Sequence, residues 1–479
     1  MTTASLSRPL VVDLDGTLFR GDLLLESANQ FVAQHPLQFW RPVVWLLKGK
    51  IHLKAQLARS TDCCVATLPY NEGLLAWLRS EKAAGRSMIL ATASHKQLAE
   101  RVSKQLGIFD EVIATDETRN MKGVIKRDML VERFGEHGFD YVGNDACDIE
   151  VWRAANDAWL VDPSTRVESQ ARKVARVRGV VRSAPQNTLN TLARALRVHQ
   201  WLKNLLVFVP LIAANRLTFV YDVWAATLAF FLFSVCASGV YILNDLVDVE
   251  VDRGHPRKSR RPFASGELSL LTGWILSPLL VLGAFAAAFF LLPLGFVVVL
   301  GGYYALTLTY SFFLKRKVLV DVITLAALYT LRLVAGAAAI TVAISFWLLA
   351  FSMFLFLSLA FIKRYAELRG NAEESAVRTV SGRGYYASDR EAVQSFGASA
   401  GYLSVLVLAL YIQDPVTVGL YSHPRVIWLA CPLLLYWISR VWLLAKRGHM
   451  HDDPVVFAAK DRVSWAVGAL LAIIFAAAR

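Results

Sequence analysis

Cysteine is scarce in this chain, and its five thiols are spaced neither for a metal site nor for a disulfide framework. The adjacent pair Cys63 and Cys64 suits reduced thiols in a cytosolic compartment. Charged residues make up only 19% of the sequence, yet the net charge is +13. Because no motif of RNA- or DNA-binding proteins accompanies that charge, we expect no nucleic-acid partner, and a membrane surface fits the charge at least as well. The N-terminus has no basic stretch followed by an apolar core, so we expect no cleaved signal peptide.

Long apolar runs are absent from residues 1–190 and dominate the chain from about residue 200. Hydrophobic residues make up 55% of the sequence, and 479 residues exceed one ordinary domain. We therefore predict a membrane protein with a soluble N-terminal domain. The predicted boundaries are 1–165 for the soluble domain, 166–195 for a basic linker and 196–479 for the membrane domain.

Two aspartates directly follow a short apolar strand at residues 10–12. In this position Asp13 can attack phosphorus, and Asp15 can protonate the leaving oxygen and then act as a base. A second strand ends at Thr92, which can donate a hydrogen bond to a phosphoryl oxygen. Lys122, before the next helical stretch, can neutralise the developing charge. This order of residues predicts a phosphoryl-transfer site.

A third group of polar residues follows the strand predicted at 139–143, namely Asn144, Asp145 and Asp148. Together with Asp13 and Asp15 they predict a Mg²⁺ site. Strands and helical stretches alternate through this half, which predicts a parallel sheet covered by helices. The acids then lie at the carboxyl ends of the strands, where open α/β sheets bind ligands.

These motifs resemble those of the haloacid dehalogenase superfamily. The resemblance implies a Rossmann-like α/β domain, an aspartyl-phosphate mechanism with Mg²⁺, and a helical cap formed by the insert at residues 19–70. The sequence departs from the family at Asn144, where the first acid after the glycine is usual. Within the cap, residues 39–48 are apolar but too short to span a bilayer. They fit either the core of the cap or a face that rests on the membrane and collects a lipid phosphate.

The membrane half contains nine apolar segments, at about 202–219, 223–243, 270–292, 294–314, 319–341, 344–362, 395–413, 426–445 and 463–478. We predict an all-α bundle of about nine transmembrane helices. Lysine and arginine concentrate in the loops on one side, which is also the side of the soluble domain. We therefore expect a multi-pass protein of the plasma (inner) membrane, with the soluble domain and the motif-bearing loops in the cytoplasm.

An acidic stretch ends the second apolar segment and is followed at once by a basic run. Asp245, Asp248 and Asp252 are spaced to share one face of a helix, and Asn244 precedes them. Mg²⁺ would relieve their mutual repulsion, because this cation takes oxygen ligands and usually shares them with a phosphate. The basic run would hold the phosphate's own oxygens through His255, Lys258 and Arg261.

Other charged residues lie at the ends of the apolar segments or inside them. Arg332 lies within the fifth segment, where an unpaired charge is costly and implies a partner, either an anionic ligand or an inward-facing acid. His449 to Asp453 form an acidic and histidine-rich stretch that fits a metal site less well than a solvated loop. The further candidates for substrate binding are Arg197, Lys203, Asn204, Tyr310, Lys315, Lys363 and Arg364, and Asp321 is a further candidate metal ligand.

The acidic stretch and its basic run resemble the UbiA prenyltransferase superfamily over about residues 195–479. The resemblance implies Mg²⁺ on the aspartates, a departing diphosphate and a cavity open to the bilayer. The acid four residues after Asp321 that many members carry is Leu325 here. Tyr310, Lys315, Asp321, Arg332 and Lys363 instead resemble the decaprenyl-phosphate phosphoribosyltransferase branch.

Two activities are consistent with this resemblance. The first moves phosphoribose from phosphoribosyl diphosphate to a polyprenyl phosphate, after which the phosphatase-like domain removes the 5-phosphate. The second transfers a prenyl group from a prenyl diphosphate to an aromatic or other acceptor. Both imply the bilayer, a polyprenyl lipid and a diphosphate compound as partners.

Overall fold

In a computed structural model of the chain, the described residues are 8–62, 64–116, 119–183, 188–370, 384–413, 421–450 and 453–478. The chain divides into two compact units. Unit one comprises Met1–Leu196 and Tyr241–Ser277, and unit two comprises Arg197–Val240 and Pro278–Arg479. The segment with the three aspartates thus belongs to the same unit as the soluble domain.

Unit one is built on a six-stranded parallel sheet. The strands are β1 Leu10–Val12, β2 Met88–His95, β3 Glu111–Thr115, β4 Asp140–Gly143, β5 Ala158–Val161 and β6 Val177–Val181, in the order β3-β2-β1-β4-β5-β6. The central strand β1 is fully buried and pairs with β2 on one side and β4 on the other. Burial on both faces explains why β1 is uniformly apolar rather than alternating. The predicted parallel α/β sheet is confirmed.

Helices follow or precede every strand of this sheet. They are α1 Leu23–Gln34, α2 Arg41–Leu47, α3 Lys50–Ser60, α4 Glu72–Ala83, α5 Lys96–Leu106, α6 Val124–Phe134, α7 Ile149–Ala154, α8 Thr165–Val174 and α9 Thr188–Ala195. The first three lie between β1 and β2, where the helical cap was predicted. Asp22 caps the start of α1 by accepting hydrogen bonds from the backbone N–H groups of Leu24 and Leu25.

The predicted linker at 166–195 contains regular structure. Residues 165–174 form α8, and residues 177–181 form β6, which pairs with β5 and extends the sheet. The arginines of this stretch made the strand difficult to predict from the sequence. On this edge strand Arg178 projects to solvent, while the valines are partly buried. The structure therefore places residues 166–181 of the predicted linker in the folded sheet domain and residues 188–195 in helix α9.

Long apolar helices make up most of unit two and part of unit one. The remaining α-helices of the described residues are α10 Val209–Ala213, α11 Val220–Val247, α12 Val249–Arg253, α13 Leu270–Leu291, α14 Leu294–Phe312, α15 Val320–Ala339, α16 Phe346–Gly370, α17 Arg390–Gln413, α18 Ala430–Arg447, α19 Pro454–Lys460 and α20 Arg462–Ala477. Among the described residues, seven helices are long and apolar enough to cross a membrane. The first and last of the nine predicted segments form shorter apolar helices, Val198–Ala213 and Arg462–Ala477, so nine spans are not confirmed.

The core of unit two lies where α15, α16, α17 and α18 pack together. Small residues allow this close approach. A Cβ atom at Gly397 would lie 2.3 Å from the Trp442 ring and 2.6 Å from Phe361 Cβ. Helices in membranes associate through such close contacts, because the hydrophobic effect does not drive apolar side chains out of lipid.

Candidate functional site

The first candidate site lies at the carboxyl ends of β1, β2 and β4. Asp13 follows β1, and Thr92 lies within β2. One carboxylate oxygen of Asp15 accepts hydrogen bonds from Ser94 Oγ at 2.8 Å and Thr92 Oγ1 at 3.3 Å. The other accepts from the backbone N–H of Leu23 at 2.8 Å. Asp15 is thereby fixed between the sheet and the first helix of the cap.

The lysine that contacts Asp13 is Lys126. Its Nζ atom lies 2.7 Å from Asp13 Oδ1, 2.9 Å from the Tyr141 hydroxyl and 3.7 Å from Asp148 Oδ1. Lys122, the residue predicted for this role, is exposed, whereas Lys126 is buried one helical turn later. Lys126 is the third residue of α6, and the first turn of this helix brings its side chain to the end of β1. The structure thus corrects this assignment.

Burial shifts the acidity of both aspartates at this site. It raises the pKa of Asp13 to about 7, although the adjacent Lys126 opposes the shift. Burial also raises the pKa of Asp15 to about 6, with the nearby Asp22 carboxylate adding to the effect. A carboxyl group with a pKa near the working pH exchanges protons readily, which suits the acid/base role predicted for Asp15.

The three polar residues after β4 have different surroundings. Asn144 Oδ1 accepts a hydrogen bond from Thr17 Oγ1 at 3.2 Å, and a Cβ atom on Gly16 would lie 2.3 Å from Asn144 Nδ2. Gly16 has φ +72°, so glycine is required both for its conformation and for this close approach. Asp145 is exposed and caps the following turn. The amide at position 144, rather than an acid, therefore lies against the Asp13–Thr17 loop.

Asp148 is buried and fully engaged by its neighbours. It accepts hydrogen bonds from the Tyr141 hydroxyl at 2.8 Å and from the backbone N–H groups of Asn144 and Asp145 at 3.1 Å. These contacts shape the turn and help to hold Lys126, and the metal role of Asp148 stays a prediction. Across the described part of the chain, no group of three or more His, Cys, Asp or Glu side chains is arranged to hold a metal ion. A metal at this edge would rely on Asp13 and Asn144, which end neighbouring strands.

Exchanging the two lysines for methionine tests which of them serves the site. We expect Lys126→Met to lower phosphate release by about 100- to 1,000-fold, the range seen when one stabilising donor is removed from an active site. Lys122→Met, which alters an exposed side chain, should stay within about twofold of the parent, as exposed substitutions usually do. The measurement is phosphate release by the full chain in detergent, with thermal melting as the control for folding. The opposite ranking of the two variants would restore Lys122.

The second candidate site is formed by the acidic stretch and its basic run, both in unit one. Arg261 Nη1 lies 3.0 Å from Asp245 Oδ1 and 2.5 Å from Asp252 Oδ2. Both aspartates are buried, at 3% and 2% exposure. Two carboxylate oxygens thus converge on one cationic atom. Mg²⁺ is commonly held by one or two carboxylates together with substrate phosphates, so this pair fits it.

The neighbouring candidates are placed differently. Asp248 lies at the start of α12 without a capping hydrogen bond from its side chain, and it is half-buried, as is Asn244 before it. His255 Nδ1 accepts hydrogen bonds from the backbone N–H groups of Arg257 and Lys258, at 3.2 and 3.4 Å. His255 therefore shapes the basic loop, while Lys258 is partly exposed on it.

The cap helix α1 contacts this acidic segment directly. Glu26 and Arg253 form a buried bidentate ion pair, with N–O distances of 2.7 and 3.0 Å. Asn29 donates to the carbonyl of Leu246 at 2.7 Å and accepts from Trp274 Nε1 at 3.0 Å. Bidentate pairs of this kind fix geometry as well as charge. The cap thus braces the segment that carries Asp245 and Asp252.

A third cluster lies in unit two and joins two of the predicted substrate-binding lysines. Asp453 Oδ2 lies 2.7 Å from Lys203 Nζ and 3.3 Å from Lys363 Nζ, and it accepts a hydrogen bond from the Tyr329 hydroxyl at 3.2 Å. Asp453 also caps α19 by accepting from Val455 N. The lysines hold the pKa of Asp453 well below its usual range even though burial opposes this.

Arg332 lies in the same unit and is enclosed by aromatic rings. Its guanidinium carbon lies 5.2 to 5.4 Å from the ring centroids of Tyr329, Tyr303 and Phe233, within cation–π range. Its Nε donates to Asn204 Oδ1 at 2.8 Å. The described contacts of this intramembrane charge are therefore aromatic rings and an amide. Tyr329 contacts both Arg332 and Asp453.

Asp321 and Arg364 pair with each other. Arg364 Nη2 lies 2.5 Å from Asp321 Oδ2, and the Tyr385 hydroxyl donates to Asp321 Oδ1 at 2.7 Å. Both charged residues are buried, at 0% and 1% exposure. These contacts form a buried ion pair, and the metal role of Asp321 and the substrate role of Arg364 stay predictions. Arg197, Tyr310 and Lys315 are partly exposed.

Three residues on which these clusters depend are not evident from the sequence. Lys126 lies in the first turn of a helix with no motif around it. Tyr329 resembles an ordinary aromatic residue of an apolar helix, and Asp453 lies in a stretch predicted as a solvated loop. The Asp453–Pro454 pair that starts α19 was an available signal, because aspartate followed by proline is typical of a helix N-terminus. His451 and Asp452, in the same stretch, lie outside the described residues.

Comparison with known proteins agrees with the membrane half of this description. A family model described as the UbiA prenyltransferase family matches residues 205–476. Protein y4nM of Sinorhizobium fredii is 36% identical over 468 residues, which are 98% of this chain and 90% of that protein. Decaprenyl-phosphate phosphoribosyltransferase of Mycobacterium tuberculosis is 35% identical over 193 residues, 40% of this chain and 64% of that protein.

A solved phosphoserine phosphatase complex aligns with 36% of this chain and 92% of that chain, at 12% identity and a TM-score of 0.27. The family model, by contrast, covers more than half of the sequence, and its region includes the acidic stretch, Arg261 and Asp453, whereas Lys203 lies just before it. The chain belongs to the UbiA prenyltransferase family.

Proposed function

We propose that this chain transfers phosphoribose from phosphoribosyl diphosphate to a polyprenyl phosphate, and that its N-terminal domain then removes the 5-phosphate. The observation that carries the first step is the convergence of two buried carboxylates, Asp245 and Asp252, beside a basic loop. The choice of donor is supported by the similarity to decaprenyl-phosphate phosphoribosyltransferases in the membrane half.

In the transfer step, an oxygen of the polyprenyl phosphate forms a bond to the anomeric carbon of the ribose. The bond from that carbon to the diphosphate oxygen breaks, and the diphosphate leaves with the electron pair. Asp245 and Asp252 would hold Mg²⁺, which when bound neutralises charge on the diphosphate. Lys258 and Arg261 bind the remaining diphosphate oxygens through charge-assisted hydrogen bonds.

The cluster in unit two suits a second anionic group. Lys203, Lys363 and Arg332 supply three positive charges against the single carboxylate of Asp453. Lys203 and Arg332 are buried, whereas the Lys363 side chain is 32% exposed. An excess of buried positive charge is costly unless an anion binds to it, and the phosphate of a lipid acceptor is such an anion. Tyr329 supports both sides of this cluster and would keep Lys203 and Arg332 oriented.

In the second step, Asp13 attacks the 5-phosphate as the ribose oxygen leaves, and Asp15 gives that oxygen a proton. Asp15 then takes a proton from the water that hydrolyses the aspartyl phosphate. Lys126 neutralises charge on Asp13 and on the transferred phosphoryl group. Asp13 and Asn144 would hold Mg²⁺ at this site, with water completing its ligands.

Fusion of the two activities has a physical advantage. A phosphatase tethered to the transferase meets the lipid product at a raised effective concentration. Both substrates are anionic, which agrees with the net charge of +13. We further propose that the motif-bearing loops and the N-terminal domain face the cytoplasm, because the basic residues of the membrane half concentrate in loops on one side.

The test supplies membranes containing the full chain with two substrate pairs and identifies the lipid products by mass spectrometry. We expect phosphoribosyl diphosphate with polyprenyl phosphate to give a polyprenyl phosphoryl ribose and free diphosphate. If diphosphate is released only from a prenyl diphosphate with an aromatic acid, prenyl transfer replaces this proposal. The Asp245→Asn variant serves as the control for background activity of the membranes.

A further inference from the structure

The cap exposes an unusual concentration of apolar side chains. Seven large apolar residues between positions 37 and 47 are exposed, and we call residues 37–47 the apolar cap segment. Leu37 is 79% exposed and Leu47 is 83% exposed. Across the described part of residues 8–196, only Val124, Ile125 and Leu189 are other exposed large apolar side chains. Water-soluble surfaces rarely carry such a contiguous patch, which marks an interaction site. The seven residues are Leu37, Phe39, Trp40, Val43, Val44, Leu46 and Leu47.

The apolar cap segment is an ordered part of the cap. The Trp45 ring packs against Phe31, with centroids 5.0 Å apart, next to the small core formed by Phe31, Leu53 and Leu57. No residue of α2 is fully buried. One anchor thus holds the helix while its other apolar side chains face away from the cap. Of the two interpretations open from the sequence, cap core does not describe this segment.

The charge around the apolar cap segment favours an anionic lipid surface over a second protein. No aspartate or glutamate occurs between residues 35 and 61, whereas Arg41, Lys48 and Lys50 are exposed within or just after the segment. The Arg41 guanidinium lies over the Trp40 ring at 5.9 Å. Basic side chains beside exposed tryptophan, phenylalanine and leucine are typical of segments that lie in a membrane interface.

The apolar cap segment is connected to the phosphatase site through the next helix. The helix α3 begins at Lys50, and Lys54 lies one turn later, about 6 Å along the helix axis. Lys54 Nζ donates to the carbonyl of Ala93 at 2.5 Å and to Asn120 Oδ1 at 3.0 Å. Ala93 adjoins Thr92 and Ser94, which both bind Asp15. The half-buried Lys54 thus reaches the rim of the site from α3, the helix that follows the apolar cap segment.

We propose that the apolar cap segment inserts into the interfacial layer of an anionic bilayer and that Lys54 receives the phosphate of a membrane-bound ester there. The membrane contact stands on exposure and charge alone. The delivery of a lipid phosphate to Asp13 rests on the proposed phosphatase function. Such a contact would keep the lipid tail in the bilayer while the phosphate enters a site built in the soluble domain.

Photo-crosslinking tests the membrane contact without relying on activity. A benzophenone amino acid replaces Leu47 in the full chain, which is reconstituted in vesicles of phosphatidylglycerol and phosphatidylethanolamine. The matched control carries the same probe at Glu132, an exposed position on α6. We expect lipid adducts, detected by mass spectrometry, at position 47 and not at position 132. Adducts between two copies of the chain, or no adduct at position 47, would overturn the proposal.

A pair of double variants tests delivery. Leu37→Glu with Leu47→Glu should lower hydrolysis of the lipid-linked ribose 5-phosphate by more than about tenfold, because charged groups oppose interfacial insertion. Leu37→Phe with Leu47→Phe keeps the surface apolar and should retain the parent rate. Hydrolysis of soluble p-nitrophenyl phosphate should be equal in both variants. Equal loss on both substrates would contradict delivery. If the parent hydrolyses neither substrate, the phosphatase function fails while the lipid adducts at position 47 still decide the membrane contact.

Discussion

Asp245→Asn is expected to lower the release of diphosphate by at least about 100-fold, because it removes a proposed metal ligand, and such a loss exceeds the 10- to 100-fold effect of disturbing groups that support a ligand. Asp245 Oδ1 and Asp252 Oδ2 both lie against Arg261 Nη1, and an asparagine at position 245 removes one of the two negative charges that converge there. Asp252→Asn should have a similar effect. The measurement is diphosphate released by vesicles containing the full chain, followed as Mg²⁺ is varied.

A matched control exists on the same helix. Asp222 is another buried aspartate of α11 and pairs with Arg216 at 3.2 Å. Asp222→Asn should leave the Mg²⁺ dependence unchanged, whatever it does to stability. If Asp245→Asn and Asp222→Asn release diphosphate at the same rate, or if their rates respond in the same way to added Mg²⁺, the acidic stretch is structural. The assignment of the transferase site is then incorrect.

Asp13→Asn is expected to abolish phosphate release from the lipid-linked product, by at least about 10,000-fold, the scale seen when a covalent nucleophile is removed. The amide cannot form the aspartyl phosphate. Since the transfer site contains none of these residues, the variant should still make the phosphorylated lipid. That intermediate should therefore accumulate and be visible by mass spectrometry with the mass of one additional phosphate.

The control for this variant is Asp128→Asn, which changes an exposed carboxylate on α6 that pairs with Arg127. It should not alter either product. Loss of transfer in Asp13→Asn together with normal thermal melting would mean that the two sites are chemically dependent, and separate sequential activities would be excluded. An unchanged product in Asp13→Asn would show that the N-terminal domain is not the phosphatase.

A buried ion pair joins the cap to the acidic segment. Glu26 and Arg253 are buried together, and Arg253 directly follows Asp252. A buried bidentate pair tolerates little change in geometry, because displacement of one partner leaves the buried charge of the other without compensation. The soluble domain is therefore part of the support for the acidic segment as well as the carrier of a second site.

Much of the fold could be predicted from the sequence because the signals are local. Apolar runs of about 20 residues predict membrane helices without reference to anything distant in the chain. A strand that ends in two aspartates, followed by further strands with polar ends, predicts both a parallel sheet and the edge where a site forms. The acidic stretch was likewise visible, but the prediction of one shared helical face is wrong, because the helix breaks at Asp248 and leaves Asp245 in α11 and Asp252 in α12.

Contacts between distant parts of the chain could not be predicted in this way. Local spacing did not distinguish Lys122 from Lys126, because the choice depends on where α6 begins relative to β1. Neither Asp321 nor Arg364 indicated the other as its partner, since 43 positions separate them.

The sequence by itself determined the class of protein, the parallel sheet, the apolar segments and the acidic stretch, because each follows from periodicity over neighbouring residues. Only the tertiary structure decided that Lys126 contacts Asp13, that Asp453 is buried between two lysines, and that the apolar cap segment faces outward. The physical reason is that burial and charge pairing depend on which distant side chains fill the same space, and spacing along the chain carries no information about that.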